Sequence, residues 1–341
     1  VSKPIPKEGP VHLAPGEQLR AFAGLYRGSV GPESLGRFAA RCAARGLRFG
    51  DDELTVLAAL DTPAKLQEFL NTELYYNDDH ASEEQEETAM APRRVLRTGL
   101  AHCFEGAMFA YAVNFLHGHG PSLFMLEASQ DADHNIVVCR DPRTGLYGAN
   151  AHSRYPGLVG RPAEYPTVRA VADSYVPFYY SDRTLDPKDL TLVGYSDRID
   201  LVAKYGVAWM ASEKPLWDIY YTYIDDTIAF HYFFDDPGRP HLYPAVRALA
   251  ENWVRISARG KPRVSPADLP AAARQAWDAF WKAYGPKDGP RPRGRAREIE
   301  QEFFRLTGTT PIDLEDIAFD LRFYLAAGYR VDQLLTQRAK S

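Results

Sequence analysis

The chain has 341 residues, 45% of them hydrophobic, which is enough to bury one substantial core and a second, smaller one. Its formal net charge of -5 offers no global attraction to nucleic acid or to an anionic membrane, so neither is expected as a partner. No apolar run approaches bilayer length, and residues 1–6 lack the apolar segment of a signal peptide. Three cysteines, Cys42, Cys103 and Cys139, are too few for a disulfide framework, and together these features predict a soluble, cytoplasmic protein.

Taken in order, apolar residues at helical spacing predict helices over residues 17–26, 33–45, 51–60 and 62–70. Gly46 is placed to stop the second, while Thr62 as N-cap and Pro63 in the first turn suit the fourth. The acidic tract 78–87 reads as a solvated connection. A core helix is predicted over 103–117, with Phe104, Met108, Tyr111, Ala112 and Phe115 on one face and Gly118 and Gly120 at its end. Strands follow at 122–128 and 134–140. The turn Asp141-Pro142-Arg143-Thr144-Gly145 then returns an antiparallel third strand over 146–151. Beyond residue 186 the chain reads as mostly helical, over 243–257, 267–284, 296–306 and 314–327, with a Gly/Pro-rich, basic linker at 285–297 opening the third of these. The fold class predicted is α+β. Three segments are expected: N-terminal helices (1–46), a catalytic core (47–185) and a helical C-terminal region (186–341).

Chemistry concentrates in Arg97-Thr98-Gly99-Leu100-Ala101-His102-Cys103-Phe104-Glu105-Gly106-Ala107, where a cysteine stands at the passage from a Gly-containing loop into an apolar helix. There the positive end of the helix dipole favours thiolate, the form that attacks carbonyl carbon. His134, at the start of a strand, is the candidate base. His102 is expected to line the site or cap the loop, since a residue adjacent to Cys103 points elsewhere. Gly106 allows close packing in the first helical turn. Glu105 is expected to turn outward or to pair with Arg93, Arg94 or Arg97, because a carboxylate aimed at the sulfur would raise its pKa. The Cys103 N–H is the natural oxyanion donor, and a second could come from Asn71, Tyr75, Tyr76 or Asn77. A zinc site made of His102, Cys103, His134 and Cys139 is disfavoured because His134 and Cys139 on one strand point to opposite faces and His102 diverges from Cys103, and His117 and His119 read as a polar helix end. No cofactor is expected. Tyr175, Phe178, Tyr179, Tyr180, Trp209, Trp217 and Tyr220 suit either a core or an aromatic pocket.

The order of these elements, with Asp61-Thr62-Pro63-Ala64-Lys65-Leu66-Gln67, Ala91-Pro92-Arg93-Arg94-Val95-Leu96, Ala101-His102-Cys103-Phe104-Glu105-Gly106-Ala107, Asp133-His134, Gly148-Ala149-Asn150-Ala151-His152-Ser153-Arg154, Leu158-Val159-Gly160-Arg161-Pro162 and Ser174-Tyr175, resembles the transglutaminase-like, papain-related superfamily of cysteine enzymes. The likeness is closest to a group of bacterial transglutaminase-like proteins. What the resemblance implies is a nucleophile helix on a small antiparallel sheet and a Cys-His-Asp constellation forming an acyl-enzyme from an amide or ester. Cys103 and His134 match its first two positions. The usual third, an Asp, falls near Asn150, whose side-chain carbonyl can orient a histidine without supplying charge. A register shift would put His152 or Ser153 there instead, while Asp133 and Asp141 read as structural. Three function classes remain open: a hydrolase or amine acyltransferase, a non-catalytic binding or scaffold protein of the same fold, and a metal-binding protein.

Overall fold

A computed structural model describes residues 15–77, 88–128, 131–180, 190–223, 228–233, 269–284, 292–312 and 314–315. The acidic tract 78–87, the expected helix at 243–257, most of that at 314–327 and most of the 285–297 linker lie outside them. The predicted N-terminal helices are present as α1 (Pro15–Tyr26), α2 (Pro32–Ala44), α3 (Asp51–Ala59) and α4 (Pro63–Thr72). The α4 start follows the sequence logic, since the Thr62 side chain accepts the Lys65 N–H at 3.2 Å and Pro63 occupies the first turn.

Between α4 and Cys103 the chain forms β1 (Tyr75–Tyr76), α5 (Pro92–Thr98) and β2 (Leu100–Ala101), with β1 and β2 paired in parallel. Helix α6 (Cys103–His117) then runs through the core. Every residue from Phe104 to Asn114 is buried, so the helix is enclosed on all sides rather than along one stripe. Gly118 closes it in the left-handed conformation, φ 83°.

The remaining strands are β3 (Ser122–Ala128), β4 (His134–Arg140), β5 (Tyr147–Asn150), β6 (Arg161–Tyr165), β7 (Leu192–Ser196) and β8 (Phe230–Tyr232). They make one antiparallel sheet in the order β6-β5-β4-β3-β7-β8. Leu123, Met125 and Val137 face α6 in a common core with Phe104, Met108 and Tyr111. Short helices α7 (Val168–Asp173), α8 (Leu201–Tyr205) and α9 (Trp217–Tyr223) complete this part, α7 packing beside β5 and β6. The architecture is α+β, but β7 and β8 fall in a region read from sequence as helical. Leu192–Ser196 is a short apolar run whose periodicity does not separate strand from helix.

By its contacts the chain divides into two units that differ from the three segments expected. One comprises Val1–Ala128, Asp133–Tyr179 and Leu192–Tyr232, so the N-terminal helices belong with the sheet. In the other, helices α10 (Ala271–Tyr284) and α11 (Gly294–Thr307) pack against each other, with Phe280 and Phe303 fully buried and Trp277 5.9 Å from the Phe303 ring. Among the described residues no helix is long and apolar enough to cross a membrane.

Candidate active site

Gly99, with φ 71°, ends α5 and turns the chain into β2, which delivers Cys103 to the first position of α6. His102 is the N-cap, in the capping role allowed for it. Its Nδ1 accepts the Phe104 N–H at 3.3 Å and its Nε2–H donates to the Thr88 carbonyl at 2.8 Å. Glu105 departs from expectation: it is fully buried and meets none of the three arginines. Its carboxylate accepts the His102 N–H at 3.0 Å, the Met90 N–H at 2.7 Å and the Thr88 hydroxyl at 2.7 Å. The reason is positional, because a Glu at the third helical residue reaches back to the N-cap amide. Arg93 and Arg97 go to Glu53 instead, at 3.2 and 2.9 Å.

Cys103 is partly exposed, with its Sγ 3.9 Å from the Asp133 carbonyl oxygen and 3.9 Å from Asn135 Nδ2. His134 is buried beside it, and its Nε2–H donates to the Leu158 carbonyl oxygen at 2.7 Å. A carbonyl can only accept, so that bond puts the ring proton on Nε2 and leaves Nδ1 as the nitrogen for the thiol. Burial alone would raise the Cys103 pKa, but hydrogen bonds to His102 and His134, with the charges of both rings, overcome it and bring it down to about 5. Burial likewise opposes the imidazolium at His102, yet its contacts with Cys103 and Glu105 move that ring up to about 9. The bare Nδ1 that caps α6 belongs to the neutral ring, so the charge that His102 lends to the thiolate comes with release of that cap. By contrast burial raises the thiols of Cys42 and Cys139, the latter to about 12.

The structure brings Cys103 and His134 together but does not bring Asn150 to them. Strand register pairs Asn150 with Val137, and alternation then puts it on the opposite face of the sheet from His134. There Asn150 Nδ2 donates to the Pro63 carbonyl at 2.8 Å and to Gln67 Oε1 at 3.2 Å, while its Oδ1 accepts from Asn114 Nδ2 at 2.9 Å. It is a structural amide tying α4 and α6 to β5. Neither alternative replaces it. Ser153 Oγ accepts the Tyr155 N–H at 3.0 Å, and His152 is buried against Gly106 with its ring stacked on Tyr76 at 5.8 Å and its Nε2 without a hydrogen-bond partner. Asp133 Oδ1 accepts the Ala128 N–H and Asp141 Oδ1 the Arg143 N–H, so both carboxylates serve local turns.

The third partner of the histidine is therefore a main-chain carbonyl, for which no side chain could have signalled. The residues on either side of it are held by Arg161, for which the sequence suggested no role. The guanidinium donates to the carbonyls of Gly157 at 2.7 Å, Val159 at 2.7 Å and Gly160 at 3.2 Å, and to Ser174 Oγ at 2.9 Å. It also lies 3.8 Å above the Tyr175 ring, and the fully buried Tyr175 meets His134 edge to face at 6.3 Å. Of the expected oxyanion donors, Asn77 donates to Thr88 Oγ1, Asn71 accepts from Gln67 and Tyr76 stacks on His152. Outside that set, Asn135 brings its Nδ2 to 3.9 Å from the sulfur.

No family model matches the chain, and no curated protein does. What the site can do therefore rests on its own geometry. A cavity of about 680 Å³ lies between α4 and the far end of the β4–β5–β6 ladder, lined by Gln67, Asn150, Cys139 and Arg161 among others. Neither Cys103 nor His134 lines it, so it is not the space around the thiol. Among the described residues no group of three or more His, Cys, Asp or Glu is arranged to hold a metal.

Proposed function

We propose that the protein is a thiol-dependent acyl-transfer enzyme, a hydrolase or amine acyltransferase acting on an amide or ester. One observation carries the reading: His134 is oriented through Nε2 by the Leu158 carbonyl, so its other nitrogen is left to Cys103 at the start of α6. His134 takes the Cys103 proton, and the thiolate attacks the carbonyl carbon. The Cys103 N–H receives the developing oxyanion, and the protonated His134 gives its proton to the departing amine or alkoxide. Water or an amine, deprotonated by the same ring, then releases the acyl group. With this reading goes a transglutaminase-like core, supported by the succession of nucleophile helix, strand, strand bearing the base and returning strand, and a cytoplasmic setting without cofactor.

Reaction with p-nitrophenyl acetate tests it. A burst of nitrophenol with acetate on Cys103 is expected, lost in Cys103→Ala and strongly slowed in His134→Ala. Nitrophenol release by Cys103→Ala at the native rate would overturn the proposal. A binding or scaffold role is favoured by one specific observation, that the Nε2–H of His134 goes to a main-chain carbonyl and not to a carboxylate. It predicts an ordinary thiol that iodoacetamide modifies with a midpoint near pH 8.5.

A further inference from the structure

The geometry points to Asn135 as the second oxyanion donor of this site, an inference that rests on the acyl-transfer reading. Asn135 follows the base directly on β4, and alternation along the strand sends the two side chains to opposite faces of the sheet. Both nonetheless reach Cys103, because α6 begins level with the first residues of β4. The sulfur contacts the Asp133 carbonyl at 3.9 Å and the Asn135 amide at 3.9 Å, while His134 approaches it as hydrogen-bond partner. The thiol is thus flanked by a base on one side and an N–H donor on the other.

That division fits what a tetrahedral intermediate requires. As the bond from Sγ to the acyl carbon forms, the carbonyl π pair moves onto oxygen. When the intermediate collapses the pair returns, the bond to nitrogen or oxygen of the leaving group breaks, and His134 supplies the proton. The oxyanion and the leaving group diverge from one carbon, so a proton donor and an oxyanion donor must lie on different sides of it. Asn135 Nδ2 is too far from Sγ to make a strong bond to the resting thiol. An oxygen carried on a carbon attached to that sulfur would come within the 2.7–3.1 Å range at which such donors act. The amide is 6% exposed and set beside the first turn of α6. The Cys103 N–H, in the first turn of α6 where no intrahelical acceptor reaches it, is the first donor of the pair.

Two probes separate this role from a structural one. Acetylation by p-nitrophenyl acetate passes through an oxyanion, whereas alkylation by iodoacetamide displaces iodide and does not. Both rates are taken at their pH-independent plateaus, so that a change in thiolate fraction drops out. Asn135→Ala is expected to lower the acetylation plateau about 10²-fold while leaving the alkylation plateau within about twofold. Asn135→Asp, which keeps the shape but loses the donor when ionised, is expected to do the same and covers the case in which the alanine variant does not fold. Equal loss in both reactions, or acetylation at the native rate, would overturn the assignment. Native-rate reaction of Cys103→Ala with the ester would instead sink the acyl-transfer reading, leaving the two failures distinct.

Discussion

The Nε2–H of His134 donates to the carbonyl oxygen of Leu158 at 2.7 Å, so a main-chain atom occupies the place that Asn150 was expected to fill. Asn150→Ala should therefore leave the rate of Cys103 alkylation, and its pH midpoint, unchanged. Stability should fall by roughly 1–3 kcal/mol, because the Pro63 carbonyl, Gln67 and Asn114 lose a buried partner. Urea unfolding and iodoacetamide kinetics on the same preparation check both halves, and a raised midpoint would return Asn150 to the catalytic set.

Arg161 holds that carbonyl by gripping its neighbours at Gly157, Val159 and Gly160. Arg161→Gln is expected to loosen the Leu158 carbonyl and with it the His134 ring. The alkylation midpoint should rise and acetylation should slow by about tenfold or more, as happens when a positioning contact is lost. Arg161→Lys should recover little, since one ammonium cannot span the same carbonyls. An unchanged midpoint in Arg161→Gln would show the carbonyl to be held without it.

The pH profile of Cys103 follows from its depressed pKa. Thiolate is the reactive form and its fraction grows as pH rises through the pKa, so alkylation of the native protein should be half-maximal near pH 5. His134→Gln removes one hydrogen bond and one charge that lower it, and the midpoint should move upward, towards the ordinary value near 8.5. A midpoint near 8.5 in the native protein would remove the basis for an activated thiol.

Gly106 and His152 predict an acid-sensitive spot under the site. A Cβ on Gly106 would lie 2.4 Å from His152 Cβ, so Gly106→Ala should cost about 1–3 kcal/mol through overpacking. Burial pulls His152 down to about 4 from the 6.5 of an unhindered ring. Between those values the unfolded chain binds a proton that the folded chain refuses, so stability falls as pH drops from 6.5 towards 4. The loss from this group approaches about 3 kcal/mol. His152→Phe should flatten that part of the stability profile, as read by urea midpoints across the window. An unchanged slope would show that the ring finds a way to charge while folded.

Much of the site could be read from sequence because side chains announce it. Cys103 after Gly99 and before an apolar helix, and His134 at the head of a strand, are both where local pattern put them. The turn after Arg140 was legible too, since Gly145 adopts the φ of 75° that such a turn demands. The third position was not legible, because a backbone carbonyl has no letter of its own and chain alignment with an Asp-bearing pattern pointed to the nearest amide. Register decided otherwise: with Val137 opposite Asn150, strand alternation turns the amide away from His134. Glu105 was misread for a related reason. The usual rule sends carboxylates to solvent, and the backbone donors that make its burial tolerable come from Met90 and His102, which only the folded loop assembles. Strand β7 escaped because its partner β3 lies far upstream in the chain, and β8 joins the sheet through β7.

The bond from Asn77 Nδ2 to Thr88 Oγ1, at 2.8 Å, joins the two ends of the acidic tract 78–87. Each end is also fastened independently, Asn77 through its N–H to the Ala101 carbonyl at 2.9 Å and Thr88 through its hydroxyl to Glu105. Asn77 and Thr88 are thus fixed to each other and each to the site, and doubling the length of chain between two such fixed points costs only about 0.6 kcal/mol. A reporter inserted between them would be anchored against the capping histidine of α6, whose Nε2–H bonds the Thr88 carbonyl.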